Sequence, residues 1–238
     1  MAAHRIFTAA VVLTATAAAA ACSGGGGNGE NVQPVKATGR AALAGTGYTS
    51  DQLEQALLLD VAGYQRSGEP DSGEYGALKA VQNSTQLQKQ VRMDEPRCAT
   101  AMTGGMRAVD PGLPAAIATF ARGSGQIATE TLVAMNSEMA ERLVRTRVPV
   151  GCTAFRTRVG AQWSEHQVVE APPGTIGEGS RTVGVTTVSG SSHTRAWYVV
   201  LRGRRYMATV SLYGPNATRA DVELLARQAF DQAQRILP

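Results

Sequence analysis

The stretch that follows Asn216 constrains the fold more than any other. Thr218 can cap a helix with Asp221 in its first turn. Val222, Leu225, Ala226, Ala229, Ala233 and Ile236 then recur at i, i+3, i+4 and i+7. A stripe this rich in alanine implies close packing against a flat surface, and an antiparallel sheet provides one. The residues just upstream supply strands, expected over 181–188, 196–202 and 205–213, with the last two paired as a hairpin across Gly203. Trp197, Val199 and Leu201 alternate on one of these strands, and Tyr206, Ala208, Val210 and Leu212 on the other. The expected class is therefore α+β: a curved antiparallel sheet covered by helices, ending in an alanine-rich C-terminal helix.

Earlier segments fit the same plan. Thr49 and Asp51, each with a Gln or Glu three residues on, give a double capping-box signal for a helix that carries Leu53, Leu57 and Leu58 and stops near Gly63. Residues 67–76 read as a loop, and 77–93 fit neither template. A short helix carrying Cys98 is expected over 95–108. Residues 115–135 resemble two strands about Gly123-Ser124-Gly125. A helix capped by Asn136 or Ser137 places Met139, Leu143 and Val144 at helical spacing and ends before Pro149 and Gly151. Residues 153–169 look strand-like, with Phe155, Val159 and Trp163 as core candidates.

The N-terminus has a different character. Arg5 and His4 precede an apolar, alanine-rich run, Ile6 to Ala21, and then Cys22. That run is shorter than the roughly 20 residues needed to cross a bilayer, so residues 1–21 read as a signal peptide. Small residues directly before a cysteine are what a lipoprotein signal peptidase reads, which makes Cys22 the expected lipidation site. Ala19 departs from the usual Leu, Val or Ile at that position. The alternative is plain secretion after Ala21 with Cys22 left as a thiol. Residues 22–47 would form a Gly-rich tether, and 48–238 suffice for one domain with a real core.

Three cysteines are an odd number for an exported chain. With Cys22 acylated, Cys98 and Cys152 remain to pair in an oxidising compartment. A bridge would close a loop of about 55 residues, worth roughly 4 kcal/mol on the chain-entropy model; two buried free thiols are the alternative. No CxxC spacing supports a metal site. The formal charge of +4 rests almost wholly on dispersed arginines. With no nucleic-acid module present, nucleic acid is not an expected partner.

The search for catalytic machinery is negative. There is no G-x-S-x-G elbow, Walker loop or H-E-x-x-H helix. Ser164-Glu165-His166 places a hydroxyl, a carboxylate and an imidazole in a row. On a strand, however, Glu165 points away from the other two, and the three read as exposed polar residues at a strand end. His193 reads as a loop residue. Two groups could carry binding: Arg202, Arg204 and Arg205 at a hairpin tip, against phosphates or an acidic partner, and Trp163, Trp197, Tyr198 and Tyr206 around a pocket between sheet and helix. Solubilising charge and core packing are the plainer readings of the two groups.

The segment from Thr49 to Leu58, with Asp60-Val61-Ala62-Gly63-Tyr64 after it, resembles the opening of many actinobacterial lipoproteins. So does the later order: Arg97-Cys98 on a short helix, a hairpin, a helix, then Val148-Pro149-Val150-Gly151-Cys152 opening a strand. The chain is similar to lipoproteins related to the extracellular sensor domain of PknH-type kinases. That resemblance implies a disulfide, a central antiparallel sheet and room for a ligand cleft; it supplies no catalytic or binding residue. The expectation is a lipid-anchored domain on the extracytoplasmic face of the cell membrane. It would be non-catalytic and without cofactor or metal, and would bind a small molecule, a lipid or an envelope protein. The alternative is a carrier or chaperone of envelope lipids or glycolipids, and a hydrolase using His166 or His193 ranks last.

Overall fold

The computed structural model describes residues 47–102 and 109–237. The expected signal peptide, Cys22 and nearly all of the expected tether lie outside the described residues. Among those described, no helix is long and apolar enough to cross a membrane.

The elements in chain order are α1 (Ser50–Ala56), β1 (Gln65–Arg66), β2 (Asp71–Glu74), α2 (Lys79–Gln90), β3 (Val91–Met93) and α3 (Ala99–Met102). They continue with β4 (Pro114–Arg122), β5 (Gln126–Ala134), α4 (Ser137–Arg145), β6 (Ala154–Val159) and β7 (Gln162–Glu170). Last come β8 (Ser180–Ser189), β9 (Ser192–Arg202), β10 (Tyr206–Gly214) and α5 (Arg219–Ile236). All strands join one antiparallel sheet in the order β1-β4-β5-β10-β9-β8-β7-β6-β3, with β2 also pairing β4. The fold is α+β, as the terminal helix and hairpin require.

The two faces of the sheet are covered differently. On the first, α1 and α5 lie over β4, β5, β10 and β9. Leu53, Ala226, Ala229 and Ala233 pack there against Ala118, Phe120, Leu132, Val199, Val210 and Leu212. The alanine stripe allows this: with only a methyl at Ala226, Ala229 and Ala233, α5 settles closely onto the strands. Thr218 caps α5 by accepting from Asp221 N, and Thr49 closes the expected capping box with Gln52 at α1. On the second face, α4 covers β9 and its neighbours with Ala140 and Leu143 against Val133, Val200 and Met207. A separate cluster gathers Cys98, Ala101, Cys152, Phe155, Val168, Val183 and Val185. Cys98 and Cys152 form a disulfide with Cα atoms 5.2 Å apart.

Three local expectations are overturned. The first helix ends at Ala56 rather than near Gly63, because Leu57 turns to extended backbone and the next residue, Leu58, donates its N–H to a side chain of the sheet, Glu130. The supposed loop 67–76 contains β2, which pairs with the rim of β4. Residues 153–169 are two strands, not one, folding back at Gly160-Ala161. This leaves Phe155 buried but Val159 and Trp163 about half exposed, at 49% and 46%.

Candidate functional site: a groove beneath a stand-off helix

The segment that fitted neither template builds one wall of an open groove. The α2 sequence KAVQNSTQLQKQ holds only Val81 and Leu87 as large apolar residues, six positions apart, so it has no stripe to bury, and none of its residues is buried. It is instead held at its two ends. Leu78, just before the helix, is buried, and Lys79 N donates to the Asp71 carboxylate (2.7 Å). At the other end the chain runs directly into β3, which pairs with β6. Asp94 then accepts from Arg156 N (2.8 Å), and that hydrogen bond is the main reason its carboxyl is held below the usual range. The disulfide follows four residues later.

Between this helix and the second face of the sheet lies a groove of about 1070 Å³. Its floor is a cross-strand row: Ile117 on β4 faces Thr131 on β5, which faces Thr209 on β10, with Tyr198 of β9 beside them. Ala80, Val81, Ser84 and Thr85 of α2 form the wall, and Val91, Met93, Pro96 and Ala99 continue it. Tyr75 and Pro111 line its other margin, tied by Tyr75 N donating to Leu113 O and Gly76 N to Pro111 O, each at 2.8 Å. Burial raises the phenol pKa of both Tyr75 and Tyr198, so both stay protonated and present hydroxyls. Among the described residues, Lys89 is the only lining residue with a charged side chain. Such a site can hold an amphiphile by apolar contact and orient it by hydroxyls; among the described residues that line it there is no nucleophile with an adjacent base.

Of the aromatic residues singled out from the sequence, only Tyr198 lines this groove. Tyr206 is buried on the opposite face, against Gly203 and 6.4 Å from the ring of Tyr48. Trp197 lies over Gly184, where a Cβ would come within 2.7 Å of the indole. Trp163 is exposed on the outer strands with Arg156 and Arg158 over its ring at 5.2 and 5.4 Å. Alternation placed Trp197 and Tyr206 on the helix-covered face, and the groove opens on the other. The arginine cluster is divided as well. Arg202 reaches Glu178 (3.4 Å), whereas Arg204 and Arg205 are exposed at the turn beside Ser137 and Tyr48.

His166 is not an exposed strand-end residue; it is buried. Its Nε2 is hydrogen-bonded with Thr157 Oγ1 (2.7 Å) and its Nδ1 with Thr187 Oγ1 (2.9 Å), and the ring stacks on Phe155 at 5.0 Å. Burial lowers its pKa, so the neutral imidazole is favoured. Both nitrogens are occupied and no carboxylate orients the ring, which suits a core strut rather than a general base. His193 is exposed near the start of β9 rather than in a loop.

Two buried charged residues, Glu130 and Arg181, went unnoticed in the sequence; Arg181 pairs with Glu170 at 2.8 Å. Glu130 on β5 is 1% exposed, inside the core beneath α1. Its Oε2 accepts from Leu58 N (2.7 Å), and Oε1 has no hydrogen-bond partner among the described residues. Burial pushes its pKa up to about 7, against the opposing pull of the Leu58 N–H and the charge of Arg66. Arg66 donates to the carbonyls of Leu58 and Leu59, so the carboxylate and the guanidinium together fix the chain after α1. The signal was available as Glu130 in an otherwise apolar, alternating strand. Among the described residues, no group of three or more His, Cys, Asp or Glu comes together as a metal site.

No protein-family model matches this sequence, and no curated protein matches it. Among solved structures, the fold is similar to the extracellular domain of PknH from Mycobacterium tuberculosis. That likeness has a TM-score of 0.56 at 12% identity, covering 79% of this chain and 98% of that one. A second structure, the Rv0999 ortholog from Mycobacterium smegmatis, matches with a TM-score of 0.44 and 16% identity over 79% of this chain and 97% of that one. The resemblance to PknH-type sensor domains read from the sequence is met in the fold.

Proposed function

We propose that this chain is a non-catalytic, extracytoplasmic binding domain, tethered to the membrane through a lipid on Cys22, whose groove takes a ligand. The observation that carries this reading is the groove: about 1070 Å³, walled by a helix that buries none of its own residues and floored by Ile117, Thr131, Thr209 and Tyr198. A helix that contributes so little to the core is retained at a cost in chain entropy, and a ligand offsets that cost. The extracellular setting of the PknH domain supports the location, as do the disulfide and the signal-like residues 1–21.

A carrier of envelope lipids or glycolipids is favoured by one specific observation, the mainly apolar lining, in which Lys89 is the one charged side chain among the described residues. The groove is open along one side, which suits a ligand taken up and released rather than one stored. Native mass spectrometry of protein extracted gently from membranes tests both readings. A diacylglyceryl increment on Cys22 with a non-covalent adduct supports a lipid-binding groove. The adduct should be lost when Ser84→Trp and Thr85→Trp fill the space, while the covalent increment stays. An adduct that survives these substitutions would place the ligand elsewhere and end the groove hypothesis.

A further inference from the structure

The helices of the first face stop at β8. Beyond them the same face of β3, β6, β7 and the near ends of β8 and β9 is bare among the described residues, and its residues follow from register. Arg92 of β3 pairs with Arg158 of β6, which pairs with Trp163 of β7. One row along, Arg156 pairs with Glu165, then Val188, then His193. The next row runs Ala154, Gln167, Thr186 and Arg195. Residues paired in this way project to the same side, so Arg92, Arg156, Arg158 and Arg195 share one flat surface roughly 20 Å across five strands. β7 confirms the exposure: its residues on this side are solvent-facing, while His166 and Val168 between them are buried.

The charge of the surface is one-sided. Against four arginines stand Glu165 and the Asp94 that pairs with Arg156 (3.3 Å). Arg92, Arg158 and Arg195 make no ion pair among the described residues. Apolar groups are interleaved with them, since Trp163 is 46% and Val169 60% exposed on the same face. Arg156 and Arg158 stack over the indole, which holds both guanidiniums against the sheet and takes up ring area that a sugar or base would otherwise use.

We infer that this bare wing is a docking surface for an anionic phospholipid bilayer. Guanidinium is weakly hydrated and matches phosphate geometry, and tryptophan favours the headgroup level. A flat face with interspersed apolar side chains suits a planar interface, whereas a soluble polyanion gains nothing from Val169 and finds no channel here to grip it. The inference is independent of the groove, which lies on the other face, and of acylation at Cys22.

The test is partitioning of the full chain onto vesicles of phosphatidylcholine with about one-third phosphatidylglycerol, compared with pure phosphatidylcholine. Every variant is made in the same background, so the contribution of residues 1–46 is constant. The anionic vesicles should bind more tightly, with a preference that fades as salt rises. Each of Arg92→Gln, Arg158→Gln and Arg195→Gln should weaken that preference about fivefold, and the triple variant about a hundredfold. These side chains are at the surface, so circular dichroism should be unchanged. Brominated lipid should quench the emission of Trp163, and Trp163→Phe should remove that quenching. Equal binding of both vesicle types, or an unaltered triple variant, would overturn the inference. So would soluble polyphosphate binding as tightly as vesicles with no quenching of Trp163, since that marks the surface as a polyanion site.

Discussion

Two helices of one molecule, α5 and α2, meet the same sheet in opposite ways. The 18-residue α5 lays six buried residues against the first face, four of them Val222, Leu225, Ala226 and Ala229. The 12-residue α2 buries none and stands off the second face over the groove. Composition decides between them. Alanine at successive inward positions leaves nothing to hold the backbone away, and each buried apolar group adds stabilisation. The Gln, Asn, Ser and Thr of α2 would lose water contacts without gaining partners. One helix is therefore part of the core, and the other is a wall that depends on its ends.

That contrast can be broken most forcefully at an end of the wall. Replacing Cys98 and Cys152 by Ser should cost about 4 kcal/mol, given a sequence separation of 54. Hydrogen exchange should locate the loosening in residues 79–102 while α5 stays protected. The same substitution made in both helices sharpens the comparison further. Ala229→Leu forces extra atoms between α5 and the sheet and should cost about 3 kcal/mol. Ala80→Leu projects into the groove and should change the denaturation midpoint by less than about 0.5 kcal/mol, while reducing ligand capacity.

A pH series separates the two faces by sign. Glu130 lies under α1 with its pKa raised to about 7. Below the ordinary carboxylate pKa it is neutral in both folded and unfolded chains. As pH rises towards 7 the unfolded chain releases its proton first, so stability falls across that window. Glu130→Gln should abolish the fall and be more stable than the parent at pH 8 by about 2 kcal/mol, measured by denaturant titration. His166 on the other face works the other way. Its lowered pKa means that the unfolded chain takes up the proton first as pH drops below about 6.5, so stability is lost towards acid. In the Glu130→Gln variant the fall towards pH 7 should vanish while the acid-side losses, from His166 and at lower pH from Asp94, remain. Leu87→Ala, on the exposed side of α2 (64% accessible), is the smallest change and should leave stability within about 0.5 kcal/mol.

Much of the scaffold was legible because its signals are local. The alanine stripe of α5, the capping box at Thr49, the Asn136 cap and the β9–β10 hairpin each lie within a few residues of their cause. The groove was not legible, for a physical reason: α2 lacks the apolar periodicity that marks a packed helix, and the same lack is what opens the space. The aromatic residues misled because an aromatic side chain marks burial or contact, not which side of a sheet it serves. His166 misled because a polar residue in an alternating strand reads as outward until Thr157 and Thr187 are seen to satisfy it.

By itself the sequence determined the α+β class, the closely packed terminal helix and the pair of cysteines available to bridge, since each depends on side-chain size and spacing along the chain. Only the tertiary structure decided that residues 79–90 form a wall, that Ile117, Thr131 and Thr209 line up as its floor, and that Arg92, Arg158 and Arg195 converge on a bare face. Those groupings are made by strand register across distant segments, and register is set by the summed burial of a whole sheet face rather than by any one residue within it.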